Sequence, residues 1–142
     1  MHTAIQRKDH PLAVDFSMRI LVFDGSRDPI RSILTQLGFK NVVDASDGAS
    51  ALQVLRASPQ PFGIVIKARW SLNDPAKGLN LLKTIRGDAK FRSIGFIAIS
   101  DGVMSPADRD RTMQLGVNMF MESPVTSAKL KEAIIPIIGA SF

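Results

Sequence analysis

The side chains with the most chemical reach in this sequence are cationic. Lys67, Arg69, Lys77, Arg86, Lys90 and Arg92 fall in its middle third, and Arg109 and Arg111 form a second cluster. Arginine forks match phosphate oxygens. The only tryptophan, Trp70, stands beside Arg69, where an indole could stack on a base. Gathered at one end of a sheet, these residues would suit an anionic ligand, either a nucleotide second messenger or a nucleic acid. The net charge of +5 fits that use, but a solvated basic surface is the simpler reading, because no run of five basic residues occurs. Other chemistries are poorly supplied. Cysteine is absent, which removes thiol catalysis and disulfides and matches a reducing cytoplasm. Only His2 and His10 could contribute imidazole, and neither sits in a ligand-like spacing. No P-loop, no G-x-G-x-x-G and no G-x-S-x-G occurs, so the sequence points away from an enzyme.

The elements that would position these residues alternate regularly. Ile64-Val65-Ile66 is a β-branched run behind the breaker Ser58-Pro59-Gln60-Pro61, the pattern of a strand buried on both faces. With helical patterns on both sides, it reads as the central strand. In open α/β sheets chemistry sits beyond the carboxyl ends of such strands. Here that end is Lys67-Ala68-Arg69, with no carboxylate, hydroxyl or thiol.

Further strands are expected at Arg19–Asp24, Asn41–Ala45, Ile94–Ser100 and Val117–Met121. Asp28-Pro29 reads as a helix start, with Ile30, Ile33, Leu34 and Leu37 on one face and Gly38 as the stop. Asp47-Gly48 opens a second helix and Gly78–Arg86 is a third. Ser105-Pro106-Ala107-Asp108 has capping-box spacing for a fourth. The last helix starts at Ser127, and Pro136 is expected to kink or fray its final turn.

Strand and helix alternate five times, which predicts one α/β domain over residues 18–142 with a parallel sheet covered on both faces. Residues 1–17 read as a loosely docked N-terminal extension without the apolar core of a secretory signal. No apolar run reaches the roughly 20 residues of a membrane span, so a cytoplasmic protein is expected.

Several short segments in this order resemble the CheY-like receiver domain of bacterial response regulators. Ile20-Leu21-Val22-Phe23-Asp24 is similar to the family's first strand with its acidic end. Leu37-Gly38-Phe39, Ala45-Ser46-Asp47-Gly48, Leu115-Gly116-Val117 and Ser123-Pro124 are similar to signatures around the second and fifth strands. The resemblance covers about residues 18–138 and implies a flavodoxin-like, doubly wound five-stranded sheet of order 2-1-3-4-5. It also implies a phosphorylation site: two acids after the first strand and an acceptor Asp after the third hold Mg²⁺, a Thr or Ser ends the fourth strand, and a Lys precedes a cis proline after the fifth.

On this chain the two acidic positions fall on Asp24 and Gly25, and the acceptor on Ala68. The hydroxyl falls on Ser100, the lysine on Ser123 and the proline on Pro124. Gly25, Ala68 and Ser123 break the pattern. A methyl group accepts no phosphoryl group, and Asp24 alone would hold Mg²⁺ weakly. The expectation is therefore a degenerate receiver, with no cofactor and no metal, that signals or scaffolds through protein contact. Its partner would be a kinase, a regulator or a motility or chemotaxis protein, or a second copy of itself. The family's partner face, built from the fourth helix, fifth strand and fifth helix, would here carry Met113, Met119, Phe120 and Met121, with Phe120 at the switch-aromatic position. The Ser123-Pro124 bond is expected to be cis.

Overall fold

Each apolar run becomes a strand, and each 3.6-residue pattern a helix that covers it. The computed structural model describes residues 14–23, 29–72 and 78–139. In chain order the elements are β1 (Arg19–Phe23), α1 (Ile30–Leu37), β2 (Asn41–Ala45), α2 (Gly48–Ala57) and β3 (Phe62–Lys67). They continue with α3 (Leu79–Gly87), β4 (Gly95–Ser100), α4 (Pro106–Gln114), β5 (Met119–Glu122) and α5 (Ser127–Ile138). All neighbouring strands pair in parallel, in the order β2-β1-β3-β4-β5, so β3 is central as its unbroken apolar run predicts.

Successive strand residues alternate between two cores. Ile20, Val22, Ile64, Ile66, Ile97 and Ile99 face α1 and α5, while Leu21, Phe23, Val65, Phe96 and Ala98 face α2 and α3. Both faces are therefore dry, the usual condition of an all-parallel sheet. The predicted caps form. Asp47 accepts a hydrogen bond from the Ser50 N–H at 2.7 Å, and Ser105 accepts one from the Asp108 N–H at 3.1 Å. Gly38 ends α1 with φ at 116°, a conformation that favours glycine. Asp28, the expected cap of α1, lies outside the described residues.

Three expectations are refined by the structure. Val14 and Phe16, from the segment read as a loosely docked extension, pack on the α1/α5 core with Met18, and the Phe16 ring meets Phe39 edge-on at 5.2 Å. The remainder of that extension, residues 1–13, lies outside the described residues. Helix α5 runs through Pro136 to Ile138 and closes on Gly139, whose N–H reaches the Ile135 carbonyl at 2.9 Å. Pro136 is on the exposed side, where the carbonyl it leaves unpaired can meet water. Strand β5 starts at Met119 rather than Val117, because Asn118 is held in a turn: its N–H donates to the Phe96 carbonyl at 2.8 Å and its Oδ1 accepts from the Phe96 N–H at 2.7 Å.

Candidate functional site

The carboxyl ends of β3, β4 and β5 meet at one edge of the sheet. Ala68 follows β3 directly and is fully buried, with its N–H on the Phe23 carbonyl at 3.0 Å. Its side chain joins the α1/α5 core beside Ile66 and Ile99. Ser100 ends β4 and is buried; its hydroxyl donates to the Gly102 carbonyl at 2.5 Å, which turns it into its own loop. The Ser123 N–H donates to the Ser100 carbonyl at 2.8 Å, the Ser123 hydroxyl oxygen is buried without a hydrogen-bond partner, and the Ser123-Pro124 bond is cis as expected. Ala68, Ser100 and Ser123 thus lie at the tips of adjacent strands. Asp24 and Gly25 lie outside the described residues.

A divalent cation would need carboxylates here. At the tip of β3 the side chain offered is the Ala68 methyl, and glycine at position 25 leaves Asp24 as the one acid in the sequence at the end of β1. Hard cations bind through several oxygens, so these residues do not fit Mg²⁺. The nearby cation is the protein's own. Lys67 is fully buried, and its ammonium donates to the Ala68 carbonyl and, at 3.4 Å, to that of Arg69. It lies 4.9 Å from the Phe23 ring centroid. Arg69 holds a left-handed backbone with φ at 51°, a costly conformation for a non-glycine residue.

The single observation with the longest reach from this edge is a hydrogen bond. The Trp70 indole N–H donates to the Thr112 hydroxyl at 3.1 Å, both residues being buried, while the Trp70 backbone N–H holds the Ile99 carbonyl at 2.7 Å. Thr112 is the one buried residue of α4. This pair ties the loop after Ala68 to the helix of the expected partner face. Sequence inspection misses it because 42 positions separate the two residues. The available signal is that a buried indole needs an acceptor for its N–H.

On that face Arg109, Met113, Met119, Phe120, Met121 and Glu122 surround a shallow concavity of about 350 Å³. Phe120 is half-buried, with the Arg109 guanidinium 5.8 Å from its ring centroid. Glu122 accepts from Arg109 at 3.3 Å and from the Met104 N–H at 3.0 Å, joining β5 to α4 and to the loop before it. Met113 is 40% exposed, but Met121 is 8% exposed and belongs to the core, which corrects its assignment as a surface contact. Val103, which the sequence does not single out, is 87% exposed beside this face.

Among the described residues the cationic set does not gather at one end. Lys67 ends β3 and Arg69 lies just beyond it, whereas Arg86 and Arg92 precede β4 at the opposite edge of the parallel sheet; Lys77 lies outside the described residues. Lys67 and Trp70 are buried, so neither presents a surface to an anion or a base. The Arg86 guanidinium is engaged with carbonyls of its own fold: Gly116 at 3.0 and 2.9 Å, Ile94 at 2.6 Å and Arg92 at 2.9 Å, with Asn118 Oδ1 at 2.8 Å. Arg92, Arg109 and Arg111 are exposed.

No family model matches the sequence. Individual proteins do. Chemotaxis protein CheY1 of Helicobacter pylori is 30% identical over 128 residues, which cover 87% of this chain and 99% of that protein. The chain belongs to the CheY-like receiver family. Chemotaxis protein CheY-3 of Vibrio cholerae is 31% identical over 124 residues, covering 83% of this chain and 89% of that receiver. Among solved structures, the chemotaxis response regulator CheY4 of Vibrio cholerae superposes with a TM-score of 0.69 over 84% of this receiver and 98% of that chain. The identity there is 17%, so that likeness is one of fold. A signal receiver domain of a histidine kinase from Syntrophus aciditrophicus matches with a TM-score of 0.68 at 18% identity, over 85% of this chain and 89% of that one. Among the described residues of this receiver, no helix is long and apolar enough to cross a membrane.

Proposed function

We propose that this receiver works without phosphorylation and acts by binding a protein through α4, β5 and α5. The observation that carries the reading is Ala68, fully buried at the tip of the central strand where the family presents its acceptor carboxylate. Acyl-phosphate formation needs an oxygen lone pair as nucleophile, and a methyl group has none. The misfit for Mg²⁺ and the loss of an ammonium at Ser123 support the same conclusion, because nothing there would neutralise a phosphoryl group. Ser100, turned toward Gly102, has no phosphoryl oxygen to follow.

With that switch gone, the face around Phe120 is the surface left for communication. It offers a half-buried ring, exposed apolar side chains at Met113 and Val103, and an Arg109–Glu122 pair that fixes the geometry between them. Its partner is a signalling component such as a kinase, a regulator or a motility protein. The alternative of a basic nucleotide or nucleic-acid binder draws no support from buried Lys67 and Trp70 or from the engaged Arg86.

The test is incubation with acetyl phosphate and Mg²⁺ followed by intact-mass measurement. The expected result is the unmodified mass, and a stable phospho-adduct on any aspartate would overturn the proposal.

A further inference from the structure

The amino edge of the sheet, opposite the Ala68 edge, carries a second concavity of about 560 Å³. It lies between the starts of β1 and β3 and the last turn of α5. A bulge shapes it. In the β1–β3 pairing Arg19 stands opposite Phe62 and Ile20 opposite Ile64, which leaves Gly63 as an extra residue. Bulges bend a strand and re-aim the side chains beside them. A Cβ at Gly63 would fall 2.3 Å from the Met18 sulfur, so glycine lets the Met18 side chain lie against the strand and form one wall. Ile137 and Ile138 form the facing apolar wall.

Asp15, Ser17, Gln60 and Ser93 also line this space, and its cation is Arg19. Its guanidinium carbon lies 4.8 Å from the Phe62 ring centroid. Its Nε is buried with no hydrogen-bond partner, and among the described residues no carboxylate pairs with it. Asp15, the carboxylate among the lining residues, makes no ion pair with it; its Oδ1 accepts from the Ser17 N–H at 3.0 Å and from the Ser17 hydroxyl at 2.5 Å. Those two hydrogen bonds hold its carboxyl below the ordinary range, so it stays charged at neutral pH. Arg19 is half-buried and lines the space, so a carboxylate entering it can accept charge-assisted hydrogen bonds from the reachable side of the guanidinium.

We propose that this concavity binds a small organic carboxylate with an apolar body. The carboxylate meets the Arg19 fork, which presents parallel N–H donors to two oxygens. The body lies along Met18, Ile137 and Ile138, in the manner of small-ligand sites that combine an apolar wall with a few placed polar groups. One cation beside a charged Asp15 favours a monoanion and disfavours a phosphate dianion. The site is independent of the Ala68 edge, so it stands or falls separately from the proposed loss of phosphorylation.

The test titrates the full chain with octanoate, octanol and octyl phosphate, reading amide NMR shifts and calorimetry. Octanoate is expected to bind saturably at one site, with shifts centred on Ser17, Arg19, Gly63 and Ile137. Octanol and octyl phosphate should each bind at least tenfold more weakly. Arg19→Met, which keeps an apolar stem over Phe62, should weaken octanoate at least tenfold with its melting transition still cooperative. Ile138→Phe narrows the space from the opposite wall without touching Arg19, and should also weaken octanoate. It carries the test alone if Arg19→Met does not fold. Unsaturable binding, shifts centred on Ser100, or unchanged affinity in either folded variant would overturn the site. Octyl phosphate as tight as octanoate would overturn its assignment to carboxylates.

Discussion

Removing the Arg86 guanidinium should cost this domain a measurable share of its stability. Arg86, in the last turn of α3, donates to two Gly116 contacts and to the Ile94 carbonyl in partly buried surroundings, and to Arg92 and Asn118 nearer the solvent. It thereby joins α3, the entry to β4 and the turn before β5. The three partly buried bonds contribute roughly 1 kcal/mol each, and the two exposed ones contribute little. Burial lowers the guanidinium pKa from its ordinary value, because desolvation opposes the charge and offsets part of the extra strength of charged hydrogen bonds.

Arg86→Ala should then lose about 3 kcal/mol, which for a domain of this size is a fall in Tm of roughly 10 °C. Arg86→Lys should recover about a third of that, because one ammonium cannot reproduce a planar fork aimed at several acceptors. Urea and thermal denaturation of both variants read the effect. An Arg86→Ala protein within about 0.5 kcal/mol of the parent, the usual range of an ordinary surface change, or a lysine variant as stable as the parent, would refute the reasoning.

Further outcomes follow from other contacts. Thr112→Val should cost about 1–2 kcal/mol by stranding the Trp70 N–H, with hydrogen exchange rising in α4 before it rises in the sheet; uniform exchange across the fold would contradict this. Phe120→Ala should cost roughly 1–2 kcal/mol of stability, since the ring is half-buried, and at least about 2 kcal/mol of partner binding as an interface anchor does; a stability loss of roughly 3–5 kcal/mol would instead mark a core residue. Gly95→Ala would place a Cβ 2.4 Å from the Ile137 side chain, and the overpacking should lower stability by about 1–3 kcal/mol in denaturant titration. Asp47 has a lowered pKa because the Ser50 N–H stabilises its carboxylate. Its capping of α2 is therefore intact above the ordinary Asp value and fades as pH falls through the lowered one, which amide exchange at the start of α2 should register.

The fold was legible wherever one local pattern sufficed. The β-branched run at Ile64–Ile66, the caps at Asp47 and Ser105 and the stop at Gly38 each carry their own signal, and all formed as read. Ala68 was legible for the same reason, because a strand tip is found by counting from its apolar run. The surroundings of that tip were not. Lys67 looked like a surface cation, yet the carbonyls of Ala68 and Arg69 just after β3 and the Phe23 ring receive its ammonium inside the fold. Arg86 looked available to an anion, yet its acceptors lie up to 32 positions away. Long side chains take whatever the tertiary structure offers, and composition records only that they are charged.

Because Trp70 is the only tryptophan, the hydrogen bond it makes to Thr112 gives this domain a built-in optical reporter. The indole is 3% exposed, edge-on to Phe96 at 5.9 Å, and two residues beyond the Ala68 tip. Its emission therefore comes from one dry environment, walled on one side by the sheet and on the other by α4. Any event that lifts α4, whether a partner levering on its charged face or a ligand reordering the loop after β3, would bring water to that ring and move its emission to longer wavelength. The state of the face proposed to bind a partner can thus be followed in the native chain, without a label, from the buried side of α4 rather than from its exposed surface.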